Sequence, residues 1–187
     1  MIVFHSRKLI FFKSYKTAGT AIEFELSKQL GSEDVQLPFG YGADYFCGQN
    51  AESLKINYLN ILKNPRIFLV LAKQMLKNIA IVHEHIDPEV FDVLFPAYSG
   101  YTKISVYRDS HDTNYSNYRM YVRRYGIDCG YDDFIKSNYI SNALFKRSRS
   151  GKPINNLHIF QYNDLNSLIS FLSEYELNLK LDVRINS

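Results

Sequence analysis

The stretch Phe11-Phe12-Lys13-Ser14-Tyr15-Lys16-Thr17-Ala18-Gly19-Thr20-Ala21 joins two different hydrophobic patterns. Its first residues close an apolar run from Lys8 to Lys13, the length and composition of a buried strand. Beyond it, Ile22, Leu26 and Leu30 recur every fourth residue, which makes one buried face of a helix over Thr20 to Leu30 with Gly31 as its expected stop. The bend between them, Lys16 to Thr20, lies where backbone N–H groups and the positive end of the helix dipole favour a phosphate. Gly19 permits close backbone approach, Lys16 adds a mobile point charge, and the hydroxyls of Thr17 and Thr20 add donors. This is not the GxxxxGK[ST] loop of nucleotide triphosphatases, because the lysine precedes the glycine and the first glycine is missing. An ordinary strand, turn and helix with a glycine in the bend has the same local sequence, so its meaning depends on the rest of the chain.

Three further runs read as strands: Asn78 to Val82, Lys103 to Tyr107 and Leu157 to Tyr162. Helical patterns fill the intervals, at Leu54 to Leu62, Arg66 to Lys77, Pro88 to Phe95, Asn114 to Arg124, Tyr131 to Tyr139 and Leu165 to Tyr175. Alternating strands and helices predict an α/β layer structure: a central, mainly parallel sheet flanked by helices. Ligands of such sheets collect beyond the carboxyl ends of the strands. The residues just past each strand therefore make up the candidate site: the Lys16 bend, then His83-Glu84-His85, then Arg108-Asp109-Ser110, then Asn163-Asp164. Gly40 to Gly48 is the expected long loop.

The 187 residues fit one domain spanning 1–187, with 46% apolar and 22% charged residues, so neither disorder nor a fibrous repeat is indicated. A net charge of +3 suits an anionic ligand but is too small to call for a nucleic acid. The 15 tyrosines and 13 phenylalanines are read first as packing at the edge of the core. Cys47 and Cys129 are distant and have no CxxC, so reduced structural thiols are expected rather than a disulfide or zinc site. Leu9-Ile10-Phe11-Phe12 is shorter than a signal-peptide core, and Lys73 and Gln74 break the longest apolar candidate, Ile67 to Leu76. The expectation is a soluble, unprocessed, cytoplasmic chain without a membrane partner.

Taken together, these segments resemble the PAPS-dependent carbohydrate sulfotransferases, which transfer a sulfuryl group from 3'-phosphoadenosine 5'-phosphosulfate. Phe11 to Ala21 is similar to their phosphosulfate loop, commonly PKTAGTS or PKTGGTS after an apolar strand, with Tyr15 in place of the proline and Ala21 in place of the serine. Ile104 to Ser116 resembles the 3'-phosphate segment, in which a strand ends in an arginine and a serine follows eight positions later; Arg108 and Ser116 keep that spacing. The usual proline of that segment is Ser110 here and a frequent second arginine is Thr113. His83-Glu84-His85 is similar to the HxH stretch of heparan-type 2-O-sulfotransferases and to a single-His pattern of bacterial relatives. Ile159 to Leu165 and Leu181 to Ser187 resemble the closing block, with its acidic residue lost at Gln161-Tyr162-Asn163.

The resemblance implies a nucleotide-kinase-like, P-loop-like fold, PAPS as donor, no metal, and a carbohydrate or other hydroxyl acceptor. It places Lys16, Thr17, Ala18, Gly19, Thr20, Ala21, Arg108 and Ser116 on the nucleotide, with Lys16 also at the leaving group. His85 becomes the general base and His83 its helper, since imidazole titrates near neutral pH. A metal held by the two histidines lacks a third ligand at helpful spacing. Lys146 to Lys152 and Arg119, Arg123 and Arg124 are basic residues suited to an anionic acceptor or to solvent. Two other readings stand beside the enzyme: a non-catalytic nucleotide- or glycan-binding relative, and a nucleotide-dependent phosphotransferase, which the inverted Lys–Gly order disfavours.

Overall fold

Alternation along the strands sorts the apolar residues into two groups, one for each face of a sheet. A computed structural model describes residues 1–37, 49–76, 85–138 and 153–181. Among the described residues the sheet has five strands, β1 (Ile2–Phe4), β2 (Leu9–Phe12), β3 (Val35–Gln36), β4 (Thr102–Tyr107) and β5 (Leu157–Gln161), in the order β3-β1-β2-β4-β5. Val3, Ile10 and Phe12 point to one face, where they meet Ile61, Ile67 and Leu71 and the Val90, Phe91 and Leu94 group. Ile2, Leu9, Phe11, Ile104 and Val106 point to the other, against Ile22, Leu26, Leu168 and Leu172.

Helices accordingly cover both faces. α2 (Tyr58–Leu62), α3 (Pro65–Leu76) and α4 (Pro88–Leu94) supply the first group, and α1 (Gly19–Ser27) and α7 (Leu165–Ser173) the second. α5 (Ser110–Tyr125) and α6 (Tyr131–Asn138) pack on each other in the β4–β5 connection, with Tyr118 and Tyr121 of α5 against Phe134. The α/β layering is as expected, but the sheet is mixed. β2 pairs with β4, and β4 with β5, in parallel, whereas β1 runs antiparallel to both β2 and β3. The link from Phe4 to Leu9 is a turn, too short for the crossover that a parallel neighbour needs.

Several boundaries move for local reasons. α5 begins at Ser110, a turn before Asn114, because the Asp109 carboxylate caps it, accepting the His111 N–H at 2.8 Å. α1 ends at Ser27, short of Leu30, and the Gly31 N–H donates instead to Asp34 at 2.7 Å. α2 starts at Tyr58 rather than Leu54, where Asn57 accepts the Asn60 N–H at 3.1 Å. α4 has the expected Pro88 start, capped by Asp87. The expected strand Asn78 to Val82, the loop Gly40 to Gly48, the basic run Lys146 to Lys152, Cys47, and all of the closing block after Leu181 lie outside the described residues.

Candidate functional site

The carboxyl ends of β2 and β4 are neighbours, with Phe12 opposite Ser105 in a parallel pair, so the segments beyond them emerge side by side. Side chains of the two strands tie this edge together: Ser105 Oγ donates to the Phe12 carbonyl at 2.9 Å and lies 2.8 Å from Ser14 Oγ. The bend then closes on itself, the Thr17 hydroxyl donating to the Ser14 carbonyl at 3.1 Å. Lys16 and Ala18 have positive φ, 58° and 56°, while Thr17 and Gly19 do not. Left-handed backbone at two non-glycine residues is strained, and an alternation of this kind turns successive N–H groups into one concavity suited to an anion. The N–H groups of Thr17, Ala18 and Gly19 donate to no protein acceptor among the described residues. Gly19 is required here for space: a Cβ would stand 2.5 Å from Lys13 Cγ.

Lys13 is itself buried and pairs with Glu23 of α1 at 3.3 Å; Glu23 also takes the Met1 amino group. The positive charge of Lys13 is thereby committed to holding α1 to the sheet, which leaves Lys16 as the cation of the bend. Lys16 is half-buried, with its Nζ 3.3 Å from Met120 Sδ of α5. Burial, and then the guanidinium of Arg108, lower its pKa from the usual lysine value. Arg108, one residue past β4, donates through Nη1 to the Lys16 carbonyl at 3.4 Å, and its guanidinium lies 4.4 Å from the centre of the Tyr162 ring just past β5. Thus Lys16 and Arg108, far apart in sequence, stand together at one sheet edge.

The other expected residues divide. Thr20 and Ala21 are exposed in the first turn of α1, and the Ala21 N–H is already engaged by the Ala18 carbonyl at 2.9 Å. Ser116 is half-buried on α5, one turn before Met120 and on the same side of that helix. His85 sits just before the Asp87 cap of α4, with Nδ1 3.0 Å from the Lys13 carbonyl. A carbonyl can only accept, so Nδ1 carries the hydrogen and Nε2 is the basic nitrogen of the neutral ring. His83 lies outside the described residues. Among the described residues no three His, Cys, Asp or Glu side chains gather to hold a metal.

Tyr15 is the residue that sequence reasoning undervalued. Standing where the resemblance expects proline, it donates its hydroxyl to Asn117 at 3.2 Å and sets its ring 5.4 Å from that of His85, edge to face. It therefore joins the bend, α5 and the histidine. Tyr15 also lines a depression of about 340 Å³ with Asn117, Tyr121 and Asn138. The i, i+4 spacing of Asn117 and Tyr121 was visible in the sequence; that α5 would turn them toward the bend was not. Compared with protein-family models, curated proteins and solved structures, the chain matches none.

Proposed function

We propose that the protein is a sulfotransferase that moves a sulfuryl group from PAPS to a hydroxyl acceptor, a sugar in the first instance. The observation that carries this reading is the meeting of Lys16 and Arg108, through the 3.4 Å contact of the Arg108 guanidinium with the Lys16 carbonyl, beside a bend whose N–H groups face no protein acceptor among the described residues. A donor with a phosphate at each end of its ribose needs two separated cationic places, one at the 5' end and one at the 3' end. The bend with Lys16 suits the 5'-phosphosulfate, and Arg108 with Ser116 the 3'-phosphate.

In the proposed reaction the acceptor oxygen attacks sulfur, the bond from sulfur to the 5'-phosphate oxygen breaks, and 3',5'-adenosine bisphosphate leaves with that electron pair. His85 Nε2 takes the acceptor proton, and Lys16 offsets the charge that grows on the leaving oxygen. Most of the work is positioning and charge stabilisation, as in phosphoryl transfer.

Thermal-shift titration tests the reading directly. The 3',5'-bisphosphate should stabilise the protein well beyond ADP, and Arg108→Ala should remove most of that difference. With charge-assisted hydrogen bonds at roughly 1.5–3 kcal/mol, the variant should bind the bisphosphate about one to two orders of magnitude more weakly. Equal stabilisation by ADP and the bisphosphate would overturn the assignment of PAPS. Release of the bisphosphate from PAPS with an acceptor mixture separates an enzyme from a relative that only binds.

A further inference from the structure

Helices α2 and α3 are apolar on the side that faces the core and apolar again on the side that faces away. On α3, Ile67 and Leu71 are buried in the core, yet Phe68, Leu69, Met75 and Leu76 are exposed, Leu76 by 86%. At 100° per residue these four fall with Ala72 on a single stripe along the helix, opposite the buried one. α2 repeats the arrangement, with Ile61 buried and Tyr58, Leu59 and Leu62 exposed. Both helices turn their buried residues to the same group, so their outer apolar stripes both look outward. Scattered exposed leucines need no explanation, but seven exposed large apolar side chains on two helices that pack on each other do.

Charge says what covers it. Leu54 to Leu76 contains Lys55, Lys63, Arg66 and Lys73 and no acidic residue, although the whole chain has 19. Those cations are all exposed, and none pairs with a carboxylate among the described residues. On α3, Arg66 and Lys73 border the outer stripe on the same side. Apolar side chains fringed by cations match a bilayer with anionic headgroups, which accepts the former at the acyl boundary and attracts the latter. A second copy of the chain would oppose like charges, and a nucleic acid would leave the leucines uncovered.

We infer that the outer face of α2 and α3 docks on anionic phospholipid bilayers, holding the protein at a membrane surface without crossing it. No helix of the described residues is long and apolar enough to cross one. Spanning and signal segments announce themselves in sequence as long apolar runs, whereas an interfacial face leaves no such mark, which is why the sequence pointed to no membrane contact.

The test is co-sedimentation of the full chain with phosphatidylcholine vesicles, with and without phosphatidylserine. The chain should pellet with the anionic vesicles, much less with the neutral ones, and less as salt rises. Each cation near an anionic surface contributes about a factor of five, so Lys63→Gln with Lys73→Gln should weaken binding about 25-fold. Leu62→Asp, Leu69→Asp and Leu76→Asp together should reduce it at least tenfold with little change in melting temperature, since all three side chains are exposed. A chain that stays in the supernatant with both vesicles would overturn the inference, as would equal binding by the lysine-to-glutamine variant. Self-association abolished by the aspartate variant, without vesicle binding, would overturn it by assigning the face to a second copy.

Discussion

The ammonium of Lys16 shares its surroundings with Arg108, and burial first, then that guanidinium, works against its charge. A bound bisphosphate reverses the balance by setting a phosphate beside each of the two cations, so the lysine pKa should rise on binding. Binding of 3',5'-adenosine bisphosphate should therefore take up protons, more so at alkaline pH than at neutral. Calorimetry in buffers of different ionisation enthalpy measures this, and Lys16→Ala should abolish the uptake while Arg108→Ala reduces it. His85 is governed by a different contact. With Nδ1 committed to the Lys13 carbonyl, its Nε2 is the nitrogen that can take a proton. His85→Ala should lower turnover by about 10²–10⁴-fold and leave bisphosphate affinity nearly unchanged. Equal loss of affinity and rate would make the histidine a brace for Lys13 and Tyr15, which lead into the bend.

Between β4 and α4, Lys103 is fully buried, its ammonium 3.2 Å from Asp92 and donating to the carbonyls of Ser99 at 3.0 Å and Asn155 at 3.3 Å. Burial raises the Asp92 pKa from 3.8 to about 6; Lys103 pulls against that rise, and Asp87 and Glu89 add to it. The folded state thus holds this proton more tightly than the unfolded chain does. The resulting stabilisation is full below 3.8 and is lost as pH rises toward about 6. Relative to Asp92→Asn, the wild type should lose melting temperature across that window. A separation that does not change with pH would show that Asp92 titrates normally. The same elements explain what could be read beforehand. α4 was legible from Asp87-Pro88, and α5 could have been started correctly from Asp109, since a capping carboxylate is a local signal. β1 and β3 have three and two residues, too few to show a period, and exist through pairing with their neighbours. Lys16 and Arg108 were legible because each comes just after a strand. The left-handed backbone at Lys16 and Ala18 was not, because sequence points to glycine for that conformation. Nor were the contacts of Tyr15 with Asn117 and His85, which depend on where α5 and α4 dock.

For the molecule as a whole, the site exists only where distant parts of the chain meet. β1, β2, α1 and β3 come from one local stretch and can associate early, but β2 gains its second neighbour from β4, whose Ser105 bonds the Phe12 carbonyl across 93 residues. Closing such a loop costs about 4 kcal/mol before any strand pair repays it. In refolding, bisphosphate binding should therefore appear with the slowest phase, after the helical signal has largely recovered. Binding that returned with the earliest phase would show that the bend is competent without Arg108. The central place of β2 also has a consequence in time. At roughly 5–20 residues per second, a ribosome needs about 5–19 seconds to advance from Phe12 to Ser105. Through that interval the nascent Leu9–Phe12 strand can have only its β1 edge covered, and its other edge is a binding site for whatever chaperone first meets the emerging chain.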